Sequence, residues 1–487
     1  METPVSFSSR EGRRLVRQQL NGNHGVKATL ESGSLNIKIT LLDISSLGFA
    51  MLISKENLAR VKLTDQVTLK VSPLIGVQYR ISGIIIDQQV CDDGLKISAV
   101  IDHACSKGHG VLTPIELVGS DVIRGQFTHP FFYKQNHYFD IESLSAQGFY
   151  LTNIDAGCVL LSGMRLVCRL GLSEKSQIVE GVVSDVTFTS NNRLRCFVKL
   201  NRLTEKTEQE ISQYCFHYLK KTPRDLRRSG FRSYYVKELV QYKFVETQQE
   251  YEDILLLRRR NYAAVRKVKP DAPLKSLSYF FDRYSRILVV YHQGTAIGTA
   301  TMIFSNGGSQ PMELEVLLPQ EQFAQLPSYQ HCFEVAALCL DKGYRDTDIL
   351  HGLFEHIYKN AMMFGRNHIV ISSDKYLAEL YKSIGFQETE FNFVQPKYRN
   401  LNMKVLVMTD LTTKWGKGMH PVDWWRIWGN VSLYLYRRRV IRYSLAERFR
   451  IYGSCFLYHC SVTSRPLLDR LKNYYQAKRS TLLVAVK

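Results

Sequence analysis

A strand, a turn and a helix in the last third of the chain carry residues suited to chemistry. The sequence EVAALCL, from Glu334, reads as a strand, and the helix that starts near Ile349 has an apolar stripe. The turn between them places Arg345 beside a helix N-terminus, whose unpaired N–H groups commonly bind phosphate. The same turn carries Asp346 and Asp348, which would repel a ligand rich in phosphate.

A second group of reactive residues lies near the start of the chain. Arginines in REGRRLVRQQ are followed, 26 residues after the last of them, by the sequence DISSLG. Guanidinium groups bind phosphates and stack on bases, and an aspartate accepts hydrogen bonds from guanine. The aspartate and the serine two residues later alternate on one strand face, so both should point at the same ligand. The pattern predicts a guanine-nucleotide site formed by Arg13, Arg14, Arg17, Asp43, Ser45 and Gly48.

Short strands must position this nucleotide site. Residues 1–118 alternate apolar and polar positions between turns, which is typical of a small β-barrel or sandwich. Residues 119–217 repeat the pattern, and LLDISSLGFAM in the first half is matched by FDIESLSAQGFYL in the second. We therefore predict an internal duplication.

Helices and strands in alternation must position the phosphate-type turn. Residues 218–246 are charged and mixed, and we interpret them as a linker. Residues 247–410 alternate helical and strand patterns, which predicts a mixed α/β domain. Residues 411–487 contain 15 Lys or Arg, 3 Asp or Glu and all four tryptophans, and we expect a helical basic tail.

The arginine pair RxxxR followed by DxSxxG on a predicted barrel resembles the PilZ family, whose members bind cyclic di-GMP. The resemblance covers roughly residues 8–118 and implies that cyclic di-GMP binds the six residues named above. The second copy is similar at Ser143–Gly148, but it has Ser143 in place of the aspartate and lacks the arginines. We interpret it as a degenerate, structural PilZ-like repeat. The alternative for the first copy is a solvated basic arm beside an ordinary turn.

The region 247–410 resembles the GCN5-related N-acetyltransferase (GNAT) fold through GTAIGTATMIF, EVAALCL, DKGYRDTDILHGLFEHIY and DKYLAELYKSIGF. The resemblance implies Tyr381 as general acid to the leaving thiolate, and we take Glu334 as the base, acting directly or through a water. Core packing is the alternative role for Tyr381. The resemblance also implies that the strand and the turn bind the pantetheine arm of the acyl donor, through Leu338, Cys339, Leu340 and Arg345.

The turn departs from the GNAT pattern in a way that bears on the donor. Both glycines usual in the family are missing, and Asp346 and Asp348 stand there instead. Unit charges ~4 Å apart repel by about 4 kcal/mol at an effective dielectric of ~20. Coenzyme A would meet this penalty with several phosphates. Acyl carrier protein presents the same thioester with one phosphodiester outside the pocket, so we expect acyl-acyl carrier protein as donor.

Two further stretches, ILLLRRRNYAAVRK and FFDRYSRILVVYHQGTAIGTATM, resemble the branch of this fold that contains long-chain N-acyl amino acid synthases and acyl-homoserine-lactone synthases. Thr301 stands where that branch commonly has arginine. Ala336 and Ala337 stand where serine and arginine often follow the glutamate. N-acyl amino acid synthesis therefore fits better than lactone synthesis. A transferase that has lost its activity is the alternative.

Composition sets further expectations. The chain has a net charge of +19, no run of 18 apolar residues and no apolar N-terminal stretch, so we expect a cytoplasmic protein. Ten cysteines are scattered singly, and His351 and His356 lack zinc spacing, so we expect no metal. Aromatic and basic residues in 415–450 suit peripheral contact with the inner membrane or acyl carrier protein, or a helical lid. We expect no nucleic acid partner.

These observations give one hypothesis and two alternatives. The fold is multidomain β plus α/β, with two PilZ-like β-barrels, a GNAT-fold mixed α/β domain and a helical basic tail. The function is a cyclic di-GMP-responsive N-acyltransferase that moves a long acyl chain from acyl carrier protein to an amino acid or related amine. The first alternative is a non-catalytic cyclic di-GMP effector that binds a membrane or protein partner. The second is an acyl-CoA-dependent N-acetyltransferase.

Overall fold

The structure, a computed structural model, divides into two compact units, Met1–Ser233 and Tyr234–Lys487. It describes residues 18–20, 26–32, 35–61, 63–72, 78–101, 112–132, 135–154, 158–172, 175–188, 194–265, 267–395, 401–408 and 421–460.

The first seven strands form a closed barrel of six strands and one short strand that is added to it. They are β1 (Gln18–Gln19), β2 (Lys27–Ser32), β3 (Leu35–Ile44), β4 (Gly48–Ser54), β5 (Gln66–Ser72), β6 (Tyr79–Cys91) and β7 (Gly94–Ile101). The order β3-β2-β5-β6-β7-β4 closes because β4 also pairs with β3, and β1 pairs with the outer edge of β3. Alternate residues such as Ile37, Ile39 and Leu41 point into the barrel and are buried, as a period of two requires.

The next seven strands build a second barrel on the same plan. They are β8 (Ile115–Glu116), β9 (Ile123–Thr128), β10 (Asn136–Ser145), β11 (Gly148–Thr152), β12 (Arg165–Leu172), β13 (Lys175–Phe188) and β14 (Leu194–Leu200). The order β10-β9-β12-β13-β14-β11 closes through a β10–β11 pair, and β8 pairs with β10. Each strand of the first barrel therefore has a counterpart seven strands later.

The two barrels also share their irregularities. The β3–β4 ladder has a bulge just before Asp43, and the β10–β11 ladder has one just before Ser143. A second pair of bulges lies just before Asp87 in β6 and Asp185 in β13. Bulges redirect side chains and are unlikely to arise twice at matching places by accident. The matching topology confirms the prediction of two PilZ-like barrels.

The second unit is built on one mixed sheet. Its strands are β15 (Gln241–Phe244), β16 (Arg286–His292), β17 (Thr295–Ile303), β18 (Cys332–Leu340), β19 (His368–Ser373), β20 (Gln387–Gln395) and β21 (Leu401–Met408). They lie in the order β15-β16-β17-β18-β19-β21-β20, in which the β18–β19 pair is parallel and the other pairs are antiparallel. This mixed sheet with helices confirms the predicted GNAT-like α/β fold.

Helices cover this sheet and extend both units. They are α1 (Lys55–Leu58), α2 (Glu205–His217), α3 (Pro223–Arg228), α4 (Gln248–Ala264), α5 (Glu313–Leu317), α6 (Gln320–Phe323), α7 (Ile349–Met363), α8 (Lys375–Ser383), α9 (Pro421–Arg437) and α10 (445–460). A capping box of Thr247 and Glu250 begins α4, and Asp374 caps α8 by accepting from two backbone N–H groups.

The segment 218–246, interpreted from sequence as a linker, carries regular structure. Residues 223–228 form α3, and β15 joins the edge of the second unit's sheet by pairing with β16. The sheet of the second unit therefore begins before residue 247.

The basic tail is helical where the structure describes it. Trp424 and Trp428 of α9 are buried, and the Trp428 ring meets Tyr358 of α7 with centroids 5.3 Å apart. These two tryptophans pack inside the second unit. Trp415 lies outside the described residues. Among the helices that the structure describes, none combines the length and the apolar character needed to span a bilayer.

Candidate functional site

A cleft opens in the third sheet where β18 and β19 separate. The two strands pair in parallel from Cys332 to Val335. Beyond that point the ladder between β18 and β17 shifts register, and Ala337 adopts a left-handed backbone with φ of 49°. The bulge turns the end of β18 away from β19. The cleft between them holds about 700 Å³ of empty space, part of it open to solvent.

The end of β18 carries the residues predicted to bind pantetheine, and they face different ways. Leu338 lines the cleft. Cys339 is buried in a core cluster with Ile254 and Leu257 of α4, so its side chain points away from the cleft. Leu340 packs at the position of Gly298 in β17. A ligand in the cleft would therefore meet the backbone of this segment and the Leu338 side chain, as in strand addition.

Tyr381 lies in the cleft, where the predicted general acid must be. It is on α8 and lines the opening together with Asp374 at the start of that helix. Its ring packs edgewise against Phe354 and Phe386. Burial, and then the negative charge of Asp374, raise the pKa of Tyr381. The phenol therefore keeps its proton at neutral pH and can donate it.

Glu334, the predicted base, is placed behind the cleft. It is fully buried in the middle of β18, and its Oε2 accepts a hydrogen bond from the backbone N–H of Leu314 at 3.1 Å. Burial, and then the neighbouring Glu313 carboxylate, raise the pKa of Glu334 well above its usual range. Both causes favour the neutral form of the Glu334 carboxyl over the charged form.

Glu313 also lines the cleft, and no pattern in the sequence singled it out. It begins α5, is 6% exposed, and its Oε1 accepts a hydrogen bond from Gln395 Nε2 at 2.8 Å. Gln395 ends β20, which is 82 positions further along the chain. The cleft thus brings together Tyr381 and Glu313, with Glu334 directly behind Glu313.

A buried ion pair fixes the helix that borders the cleft. Arg258 of α4 makes two hydrogen bonds to Asp282, at 2.6 Å and 3.1 Å, and a third to the hydroxyl of Thr301. Burial alone would lower the pKa of Arg258, but the hydrogen bonds and charge of Asp282 raise it, so the guanidinium stays charged. Thr301, singled out because arginine is common there, is therefore the partner of an arginine on another element.

In the turn before α7, one of the two aspartates, Asp348, has a structural role. Asp348 is buried, and its Oδ1 accepts hydrogen bonds from the backbone N–H groups of Val236 at 2.7 Å and Lys237 at 2.9 Å. Its own N–H donates to the carbonyl of Tyr234. The carboxylate expected to repel phosphate is thus used inside the protein, to hold residues 234–240, which we call the strap.

The strap is fastened to the first turns of α7 by further contacts. Lys237 Nζ pairs with Glu355, and both side chains are largely buried. Just beyond the strap, Tyr242 donates to the carbonyl of Ile349 and stacks on His356 at 4.4 Å. The strap therefore lies against the helix N-terminus that in a phosphate-binding turn would face the ligand.

Arg345 and Asp346 remain on the surface of the turn. Arg345 Nε donates to the carbonyl of Leu340 at 3.3 Å, and Nη2 donates to Asn261 at 3.2 Å. Asp346 is exposed and has a positive φ of 61°. Arg345 therefore ties the end of β18 to α4, next to the opening where a donor would enter.

The nucleotide motif of the first barrel is described only in part. Arg13, Arg14 and Arg17 lie outside the described residues. Gln18 and Gln19 follow them and pair with Ile44 and Asp43, so the chain next to the arginines runs along the motif strand. Asp43 is partly exposed.

Ser45 and Gly48 serve the turn of that motif. The Ser45 hydroxyl is buried, donates to the carbonyl of Gly48, and accepts from the N–H groups of Leu47 and Gly48. A Cβ on Gly48 would come within 2.5 Å of the Ala99 carbonyl oxygen. Ser45 is therefore buried in the turn, whereas Asp43 on β3 is partly exposed.

The second barrel repeats the turn. The Ser145 hydroxyl donates to the carbonyl of Gly148 at 3.1 Å, as Ser45 does to Gly48, and the offset is 100 residues. Ser46, next to the first motif, bridges the two barrels by donating to the Cys158 carbonyl and accepting from the Leu160 N–H. Serine and glycine of the motif thus have a structural role in both copies, and Asp43 is the feature specific to the first.

Comparison with known proteins identifies the cleft domain. Residues 253–409 match the family model of the N-acyl amino acid synthase FeeM. These residues form an N-acyltransferase domain. The match covers about a third of the chain. A comparison with curated proteins gives no match for this sequence.

Solved structures are similar to parts of the chain at low identity. The structure of FeeM from uncultured soil microbes is 14% identical and covers 35% of this chain and 90% of its own, with a TM-score of 0.30. The acyl-homoserine-lactone synthase LasI is 12% identical over 34% and 88%, with a TM-score of 0.28. YcgR from Escherichia coli in complex with c-di-GMP is 11% identical over 40% and 84%, with a TM-score of 0.20.

The sequence also led us to expect no metal site. Among the residues that the structure describes, no group of three or more His, Cys, Asp or Glu is arranged to hold a metal ion.

Proposed function

We propose that this N-acyltransferase moves a long acyl chain from acyl carrier protein to the amino group of an amino acid or related amine, under the control of cyclic di-GMP. The observation that carries the proposal is the cleft between β18 and β19, which lies in the region that matches the N-acyl amino acid synthase family and contains Tyr381.

The transfer needs one base and one acid. The amine nitrogen attacks the thioester carbonyl, a C–N bond forms, and the C–S bond breaks. Glu313, at the cleft surface, takes the proton that the amine loses, and Glu334 lies behind it. Tyr381 gives its proton to the leaving thiolate and regains one from solvent.

The strap supports acyl carrier protein as the donor. The Asp348 N–H at the start of α7 donates to the strap, and the Asp348 carboxylate holds two strap N–H groups. A coenzyme A pyrophosphate would need that position, because its phosphates bind helix N-terminal N–H groups. A carrier-bound pantetheine carries its phosphodiester outside the cleft and leaves the strap in place.

The residues proposed to bind cyclic di-GMP belong to the first barrel. Asp43 is partly exposed and lies in β3 where that strand pairs with β1, which follows the arginine segment. Its counterpart in the second barrel, Ser143, has no negative charge. We propose that Arg13, Arg14, Arg17 and Asp43 bind the nucleotide, while Ser45 and Gly48 shape the turn.

The decisive experiment compares donors on the purified full chain. Long-chain acyl-acyl carrier protein, the matching acyl-coenzyme A and acetyl-coenzyme A are each incubated with a mixture of amino acids, and products are measured by mass spectrometry. We expect N-acyl amino acids from the carrier-bound donor, with a much lower rate from coenzyme A thioesters. Acetylated products from acetyl-coenzyme A alone would support an acetyltransferase instead. No product from any donor, with or without cyclic di-GMP, would support the effector alternative.

A further inference from the structure

The outer face of α10 is apolar and exposed over about three helical turns. Leu445, Phe449, Tyr452 and Phe456 are 73%, 77%, 70% and 68% exposed. Their spacing of four, three and four residues places them on one side of the helix. We call these four residues the outer stripe. A continuous patch of this kind on a folded protein usually marks an interaction surface.

The opposite face holds α10 in position, so the outer stripe is turned outward by packing. Ile451 and Ser454 are 4% and 7% exposed. Ser444 and Glu447 form a capping box at the start of the helix, in which the Glu447 carboxylate accepts from the Ser444 N–H at 2.7 Å.

Exposed arginines lie on α10 and in the segment just before it. Six of them are exposed, namely Arg437, Arg438, Arg439, Arg442, Arg448 and Arg450. Positions 437–460 contain a single acidic residue, Glu447. Its carboxylate accepts a hydrogen bond from the Ser444 hydroxyl in the helix cap. The segment 437–460, which carries the stripe, is therefore strongly positive.

We propose that α10 lies flat in the interface of an anionic phospholipid bilayer, with the outer stripe inserted and the arginines at the lipid headgroups. Apolar and aromatic side chains on one helix face with basic side chains around them are the features that bind such an interface. Each arginine near an anionic surface strengthens the binding, and its long side chain can reach the headgroups while the rings insert.

The charge pattern favours lipid over the other occupants. A second copy of the chain would bring a like set of arginines against the first, and like charges oppose association. An acidic protein would need an apolar groove that matches four exposed side chains over about three turns, whereas a bilayer accepts the stripe without a matching shape. The surface is separate from the acyl-transfer cleft, so the proposal does not depend on the reaction.

The test is cosedimentation of the full chain with vesicles of phosphatidylcholine, alone or with about one third phosphatidylglycerol. We expect binding to the anionic vesicles and weak binding to the neutral ones. The variant Phe449→Ser/Phe456→Ser should lower the partition coefficient, and Arg448→Glu/Arg450→Glu should lower it at least about tenfold. The matched control is Val90→Ser/Val118→Ser, which replaces two apolar residues that are 86% and 76% exposed elsewhere, and it should bind like the wild type.

Several results would overturn the proposal. One is wild-type protein that does not sediment with anionic vesicles, and another is the stripe variant binding as well as the control. Concentration-dependent self-association that the stripe variant abolishes would assign the surface to a second copy. Loss of acyl carrier protein binding in that variant, with vesicle binding retained, would assign it to the carrier. Circular dichroism of each variant establishes that α10 and the rest of the fold are retained.

Discussion

Glu313 and Glu334 are neighbours, but only Glu313 lines the cleft. Glu313 reaches the cleft surface and accepts a hydrogen bond from Gln395. Glu334 lies behind it with no access to the cleft lining, and its carboxyl holds the first turn of α5. Sequence reasoning selected Glu334 from its place on the strand. The structure places Glu313 on the cleft surface, and we propose that it receives the proton from the substrate.

Tyr381 allows a direct test at the residue level. Tyr381→Phe removes the hydroxyl and keeps the packing against Phe354 and Phe386, so the fold should be unchanged. We expect kcat to fall by about a hundredfold or more, with little change in KM for the donor, since general acid catalysis contributes roughly that much. Steady-state kinetics with the acyl donor measures this.

The matched control is Tyr376→Phe on the same helix. Tyr376 is 91% exposed, so losing its hydroxyl should leave kcat at the wild-type value. Equal activity of Tyr381→Phe and the wild type would show that Tyr381 only packs in the core.

Glu334 makes stability depend on pH. Its folded-state pKa is raised, so the folded state holds a proton that the unfolded chain has lost once the pH exceeds the usual glutamate value. The unfolding free energy should therefore fall as pH rises above that value, by at most about 1.4 kcal/mol per pH unit. Glu334→Gln imitates the protonated side chain and should remove this contribution.

Denaturant unfolding of both proteins at about pH 5 and about pH 8 measures the effect. The wild type should lose more stability than Glu334→Gln between the two values. The same pH dependence in both proteins would mean that Glu334 is ionised in the folded state. Activity of Glu334→Gln near that of the wild type would further show that Glu334 is not the base.

At the scale of the elements, the strap gives the turn before α7 its unusual sequence. A glycine-rich turn leaves room for phosphate, whereas this turn has Asp348, which binds the N–H groups of Val236 and Lys237. The aspartates that looked unsuited to a phosphate site therefore have different roles. Asp348 is structural, and Asp346 is on the surface.

The variant Asp348→Asn should separate these roles. Hydrogen bonds to a charged acceptor stabilise more than those to a neutral one, so we expect the unfolding free energy to fall by about 1–2 kcal/mol. Asp346→Asn is the matched control, because asparagine also tolerates the positive φ there, and it should stay within about 0.5 kcal/mol of the wild type. Equal effects in thermal or denaturant unfolding would contradict the assigned role of Asp348.

The elements show what sequence can and cannot predict. The alternation in β3 and β10, and the shared Ser and Gly of their turns, were enough to predict a duplicated barrel. The different exposure of Asp43 and Ser45 was not predictable in this way, because the Ser45 hydroxyl is buried by hydrogen bonds within its own turn. Glu313 was missed because it meets Gln395 only when distant parts of the sheet come together.

At the scale of the whole molecule, the chain joins two units that would have to communicate for cyclic di-GMP to control acyl transfer. We expect the nucleotide to change kcat/KM of the full chain by about fivefold or more, since typical coupling energies have that size. Asp43→Ala should abolish both nucleotide binding and this response. Isothermal titration and donor turnover, measured on the same preparations, provide the two readouts.

Ser143→Ala is the matched control in the second barrel, because Ser143 occupies the place of Asp43. It should bind and respond like the wild type. Binding without any change in turnover would leave the first barrel a nucleotide-binding domain without control of the enzyme. A response that survives Asp43→Ala would place the nucleotide elsewhere.

The strap also bears on how such chains could be assembled by gene fusion. A recombination point at the start of the family match, near residue 253, would separate α7 from the strap that covers Asp348 and from the Lys237 partner of Glu355. The buried glutamate would then lose its counter-charge. The smallest portable acyltransferase module of this kind therefore begins at residue 234, and a new regulatory domain is best grafted before that position.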